Sequence, residues 1–107
     1  MREPRDSSDD VAGQGRERRA SVTLVCEVRQ GTRPWKRAQL EDISPKGFRI
    51  SRFPDCRPHL PLRIRIPGLE LLSANVRWQR VDAVGCEFTS PLHVAVFEHL
   101  VRHATSR

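Results

Sequence analysis

From Ser21 onward the chain alternates apolar and polar positions. Val22, Leu24, Cys26 and Val28 face one way and Ser21, Thr23, Glu27 and Arg29 the other, the period of two of a half-buried strand. Gln30-Gly31-Thr32 supplies a turn, after which Trp35 to Ile43 sets Ala38 and Leu40 among Lys36, Arg37, Gln39 and Glu41, predicting a second strand antiparallel to the first. Asp42-Ile43-Ser44-Pro45-Lys46-Gly47 reads as a turn by its chemistry: Asp and Ser cap amides, Pro fixes its own φ, and Gly permits positive φ. A short third strand, Phe48 to Ser51, leads into a loop over residues 53–61 marked by Pro54, Pro58 and Pro61. Leu62, Ile64 and Ile66 then alternate with Arg63 and Arg65 up to a Pro67-Gly68 turn. Leu69 to Arg80 carries Leu72, Ala74, Val76 and Trp78 at even positions, and Val84, Cys86 and Phe88 continue that parity after Val81-Asp82-Ala83.

Beyond Ser90-Pro91 the spacing changes. Val94, Phe97, Leu100, Val101 and Ala104 form one apolar stripe of a helix, with Glu98 and Arg102 on the other side and Pro91 suited to the first helical turn. Six short strands and a C-terminal helix, with no βαβ alternation, predict an all-β fold: a six-stranded antiparallel β-barrel covered at one end by the helix. Residues 1–15 mix Pro, Ser, Gly and charge with little to bury and are expected to be a disordered tail, leaving 16–104 as the domain.

At 107 residues there is room for one domain. No run approaches the ~18 apolar residues of a membrane span, and the polar N-terminus lacks the apolar core of an export signal, so a cytoplasmic protein without membrane insertion is expected. Of 19 basic residues only Lys36 and Lys46 are lysine. The charges of residues 1–20 cancel, so the net +6 belongs to the folded part. Guanidinium forks suit phosphates, guanine edges and base stacking better than an ammonium does. An arginine-rich coding bias would give the same count with no ligand involved. Cys26, Cys56 and Cys86 form no metal-binding or disulfide pattern and read as reduced packing residues. His99 and His103, at i and i+4, lack a third ligand and read as solvent-facing rather than as a metal site. Trp35 and Trp78 read as barrel-packing residues.

The most specific string is Asp42-x-Ser44-x-x-Gly47, preceded about twenty residues earlier by Arg16-Glu17-Arg18-Arg19. With Val84-Gly85-Cys86-Glu87-Phe88 and the closing helix, this order resembles the PilZ domain family over roughly residues 16–101. The resemblance implies a non-enzymatic module in which an arginine arm and the Asp-x-Ser-x-x-Gly turn close around cyclic di-GMP and present a surface to a protein effector, with no other cofactor and no metal. Its ligand-binding residues would be Arg16, Arg18, Arg19, Asp42, Ser44 and Gly47. Guanidinium groups can stack on guanine or fork to its edge, Asp42 can accept from guanine N–H groups, Ser44 can donate or accept, and Gly47 lets a planar base approach backbone.

The family's arm carries Arg-x-x-x-Arg. Starting from Arg18 puts Val22 at the second position, and starting from Arg16 puts Ala20 there, so neither register completes the pair. The alternative reading is therefore an adaptor of the same fold that no longer binds nucleotide and acts by protein contacts. A structural turn at 42–47 and a solvated basic linker are the readings that require no ligand. A nucleic-acid binder using Arg63, Arg65 and Arg77 is set aside for want of an aromatic stacking face. No catalytic constellation or phosphate-binding glycine loop is present, so no enzymatic activity is expected.

Overall fold

The computed structural model describes residues 19–105. The expected tail at 1–15 lies outside the described residues. Six strands follow in order: β1 Ala20–Gln30, β2 Lys36–Ile43, β3 Gly47–Ser51, β4 Leu62–Arg65, β5 Leu72–Arg80 and β6 Ala83–Phe88; helix α1 spans Val94–Thr105. All pairings are antiparallel, and the sheet closes as β1-β2-β3-β6-β5-β4, with β4 returning to β1. Closure leaves no free edge among these strands. No helix among the described residues is long and apolar enough to cross a membrane.

The interior is largely the inward set that the alternation marks, with Ile43 added after the change of parity in β2. Leu40, Ile43, Ile50, Leu62, Ile64 and Ile66 are all but completely buried, each contributing about 1.5–3 kcal/mol of transfer free energy. Phe48 and Phe88 meet with ring centroids 5.1 Å apart, tilted by 50°. Cys26, Cys56 and Cys86 are free and buried in this core.

Parity fails in instructive places. Leu40 pairs with Ile50 but Asp42 pairs with Arg49, so β2 gains a residue against β3. Asp42 thus belongs to β2, not to the turn: it is paired across with Ser21 on one side and Arg49 on the other. A second irregularity lies between Val76 and Trp78, which pair with Cys86 and Gly85. The extra residue turns Trp78 to the outer face, 42% exposed, despite its even position. Trp35 is likewise outside the barrel, against the guanidinium of Arg65 at 3.8 Å. Neither tryptophan packs the core.

The helix also differs from its predicted first turn. It starts at Val94, and His93 caps it by accepting the Ala95 amide proton on Nδ1 at 3.0 Å. Pro91 therefore precedes the helix. Leu92 takes the buried position, its amide bonding to the Pro45 carbonyl at 2.7 Å, while Val94 remains 49% exposed. Phe97 and Leu100 are buried, with Val101 and Ala104 packed against the same core. His99 and His103 are exposed, and the rings lie 4.1 Å apart.

Gln30, at the end of β1, is a buried polar side chain that ties down the proline-rich loop. Its Nε2 donates to the carbonyls of Arg57 and Leu60 at 2.7 and 3.0 Å, and its Oε1 accepts from the Arg57 amide at 2.9 Å. Removing it leaves a cavity at a buried position and cuts three hydrogen bonds to the loop, so Gln30→Ala should lower stability by about 3 kcal/mol in urea unfolding and expose the 52–61 loop to limited proteolysis. Burial pushes the Cys26 and Cys86 thiols from the ordinary value of 9.0 up to about 12. The unfolded chain releases these protons at lower pH than the folded one. Their contribution is therefore complete below pH 9.0 and is lost as pH rises toward about 12. Urea midpoints should fall across that window, less steeply for Cys26→Val.

Candidate ligand cleft

A cleft of about 300 Å³ lies on the outer face where β3 meets β6, with walls from β2 and β5. Its floor is backbone. A Cβ at residue 47 would stand 2.3 Å from the Cys86 carbonyl oxygen, so Gly47 is required for the β3–β6 approach. Its φ is not in the left-handed region, which among the described glycines holds only Gly31 and Gly68. The expectation of positive φ at Gly47 is thereby corrected. At Gly85 the missing Cβ is filled by the indole of Trp78, whose Nε1 would lie 2.1 Å from it.

Asp42 forms one wall. Its Oδ2 accepts from Arg49 Nε at 2.7 Å and faces Nη2 at 2.5 Å, while Oδ1 accepts a longer bond, 3.3 Å, from the Ser21 hydroxyl. Adjacent β1, β2 and β3 residues thus hold the carboxylate on the outer surface. Glu41 is held beside it by Ser51 Oγ at 2.6 Å and Gln39 Nε2 at 2.9 Å. Across the cleft Arg77 and Glu87 pair at 3.4 Å.

Ser44 is buried, and its hydroxyl is engaged by the turn: Oγ accepts from the amides of Lys46 and Gly47, both at 3.2 Å. The Ser44 amide in turn donates to the Gly47 carbonyl at 2.8 Å. Lys46 projects from this turn with no acid partner among the described residues. Arg19, the first described residue, completes the rim.

The structure therefore gathers Arg19, Asp42, Ser44 and Gly47 at one cleft, although more than twenty residues separate the arginine from the turn. Arg16 and Arg18 lie outside the described residues. Val22 is 5% exposed and points inward, and Ala20 packs against the core. Arg49, which the sequence offers as a substitute for the missing second arginine, also lines the cleft, as do Arg77 and Trp78, which were not among the expected ligand-binding residues. Arg49 faces outward by the plain alternation of β3, between the buried Phe48 and Ile50, whereas for Trp78 the missing signal is the bulge in β5, which the alternation of that strand does not contain.

A family model described as PilZ domain matches residues 14–106. The chain belongs to the PilZ domain family. Domains of this family generally serve as receptors for cyclic di-GMP and act as binding modules rather than enzymes. Among solved structures, the crystal structure of the PilZ domain of CeSA from a cellulose-synthesizing bacterium superposes with a TM-score of 0.61. It shares 18% identity, covering 81% of this chain and 94% of that one, a likeness of fold. No protein with a curated description matches the chain. The six-stranded barrel with its closing helix is the PilZ fold, as the resemblance implied.

The two glycines of the cleft floor should respond differently to a methyl group. At Gly47 the obstacle is backbone, so Gly47→Ala should cost about 3 kcal/mol; at Gly85 it is a side chain, so Gly85→Ala should cost about 1 kcal/mol. In a Trp35→Phe background, Gly85→Ala should also raise acrylamide quenching of Trp78 as the indole leaves the sheet.

Proposed function

We propose that this PilZ domain is a non-enzymatic cyclic di-GMP receptor whose binding site is the β3–β6 cleft. The observation that carries the reading is the meeting of Arg19, Asp42, Ser44 and Gly47 at one hollow, beside an exposed indole. In this reading Asp42 Oδ1, lightly held by Ser21, accepts from the N–H groups of a guanine edge, and Arg49 orients the carboxylate from the other side. Trp78 offers a flat face for a purine. Arg16, Arg18 and Arg19 supply guanidinium groups that stack on a base or fork to a phosphate, while Ser44 acts by shaping the turn. Closure of the arm over the nucleotide converts binding into a new surface for a protein effector.

A second reading has an observation of its own. The inward Val22, or the core-packed Ala20, stands where the family's arm has a second arginine, and Asp42 already has a cation in Arg49. That arrangement favours an adaptor that keeps the barrel and acts through protein contacts without nucleotide.

Calorimetric titration with cyclic di-GMP, with GTP and cyclic GMP as controls, separates the two. The receptor reading expects selective affinity in the micromolar range or tighter. Arg19→Ala and Asp42→Ala should each weaken it by roughly 10- to 100-fold, and Trp78→Ala by about 10-fold, with melting curves still cooperative. Absence of both heat and thermal shift would establish the adaptor.

A further inference from the structure

In the closed order β1-β2-β3-β6-β5-β4, the seam diametrically opposite the cleft is the one between β4 and β1. Its outer face carries an arginine group unconnected to the site above. Arg29 on β1 stands directly across from Arg63 on β4, and neither has an acid partner among the described residues. Like charges facing each other across a ladder repel. The Nε of Arg29 is moreover fully occluded without a hydrogen-bond acceptor among the described residues. Two pairs along, on the same face, Arg65 meets Glu27 at 3.4 Å while its guanidinium lies 3.8 Å from the centre of the Trp35 ring, which Arg29 approaches at 5.8 Å. Arg37 stands across from Glu27 on the other side, on β2, so arginines flank that carboxylate from both neighbouring strands, while Asp55, which lines the small hollow beside Arg29, is paired with Lys36 at 3.7 Å.

We infer that this seam is a second anionic-ligand surface, and that its ligand is the backbone of a single-stranded nucleic acid. The geometry selects the ligand in three steps. The hollow beside Arg29 measures about 10 Å³, room for at most a water, so the ligand lies along the surface instead of entering a pocket. The closed barrel offers no free strand edge, which removes the main-chain pairing by which an extended acidic peptide would gain affinity and register. A polynucleotide needs no such edge. Arg63 and Arg65 project from one face of β4 about 6.6 Å apart along the strand, an interval on the scale of successive phosphates in an extended chain. Trp35, on the outside of the barrel and half-buried with the Arg65 guanidinium 3.8 Å from its ring centre, stands beside them, so a base would stack on this guanidinium–indole pair.

The test uses the full chain and a fluorescein-labelled single-stranded oligonucleotide of mixed sequence, about 15 nucleotides long. Polarisation is followed at about 50 and about 200 mM salt. Binding should be detectable at low salt and fall steeply at high salt. Arg29→Gln/Arg63→Gln should weaken it at least tenfold and flatten the slope of log K against log salt by about 0.7 per arginine removed. The double variant removes facing like charges, so its melting temperature should not drop, and its cyclic di-GMP titration should match wild type. Trp35→Leu should weaken binding without changing that slope. No binding at low salt, or binding indifferent to the arginine pair, would overturn the inference. So would equal competition by a poly-glutamate peptide of matched charge, which would assign the seam to an acidic protein.

Discussion

Where β3 meets β6, the backbone of Gly47 lies so close to the Cys86 carbonyl that a side chain at residue 47 would meet it at 2.3 Å. This seam joins strands far apart in the chain, and the closed barrel needs it as much as the return of β4 to β1. Buried backbone groups must be paired, and a sheet that curls fully pairs them without leaving edges. The same contact forms the floor of the cleft, so closing the fold and building the site are one event. Ser44 extends the arrangement by holding the turn that delivers Gly47 to its neighbour, while the Phe88 and Leu92 amides bond to the carbonyls of Lys46 and Pro45.

Around that seam, two local irregularities decide the chemistry of the outer surface. The extra residue in β2 brings Asp42 out against Arg49, and the extra residue in β5 brings Trp78 out over Gly85. A bulge reverses which side a strand presents, so each converts a position that parity would assign inward, or a turn would claim, into part of the cleft wall. Bulges often stand beside functional sites because they aim a side chain without changing the fold. Here they set a carboxylate and an indole on opposite walls of one hollow.

The barrel thus carries two differently built polar faces. At the cleft most charges are paired, Asp42 with Arg49 and Glu87 with Arg77, and the surface is concave. At the β1–β4 seam Arg29 and Arg63 face each other with no acid partner among the described residues, and Glu27 pairs with Arg65. Between the two faces runs a core of aliphatic and phenylalanine side chains, with three thiols whose pKa burial raises.

Period-two alternation marked the strands and the buried set from Val22 to Phe88, because a half-buried strand has only two faces to assign. Local turn chemistry likewise marked the Ser44–Gly47 corner, whereas Asp42, Ser44 and Gly47 stood out as site residues only through the resemblance carried by the arginine cluster and the order of strands, since the string alone reads as a structural turn. Tertiary structure decided the rest. Strand length and cross-strand register set the two bulges, and with them the outward placing of Asp42 and Trp78. Gly47 could be read only as a permissive turn residue, since the carbonyl it makes room for comes from β6. Gln30 appeared as a turn residue, and only the loop folding over it revealed an anchor. What a residue does alone or with its near neighbours was determined by the sequence itself, whereas what it does against a distant strand depended on barrel closure, which no local pattern contains.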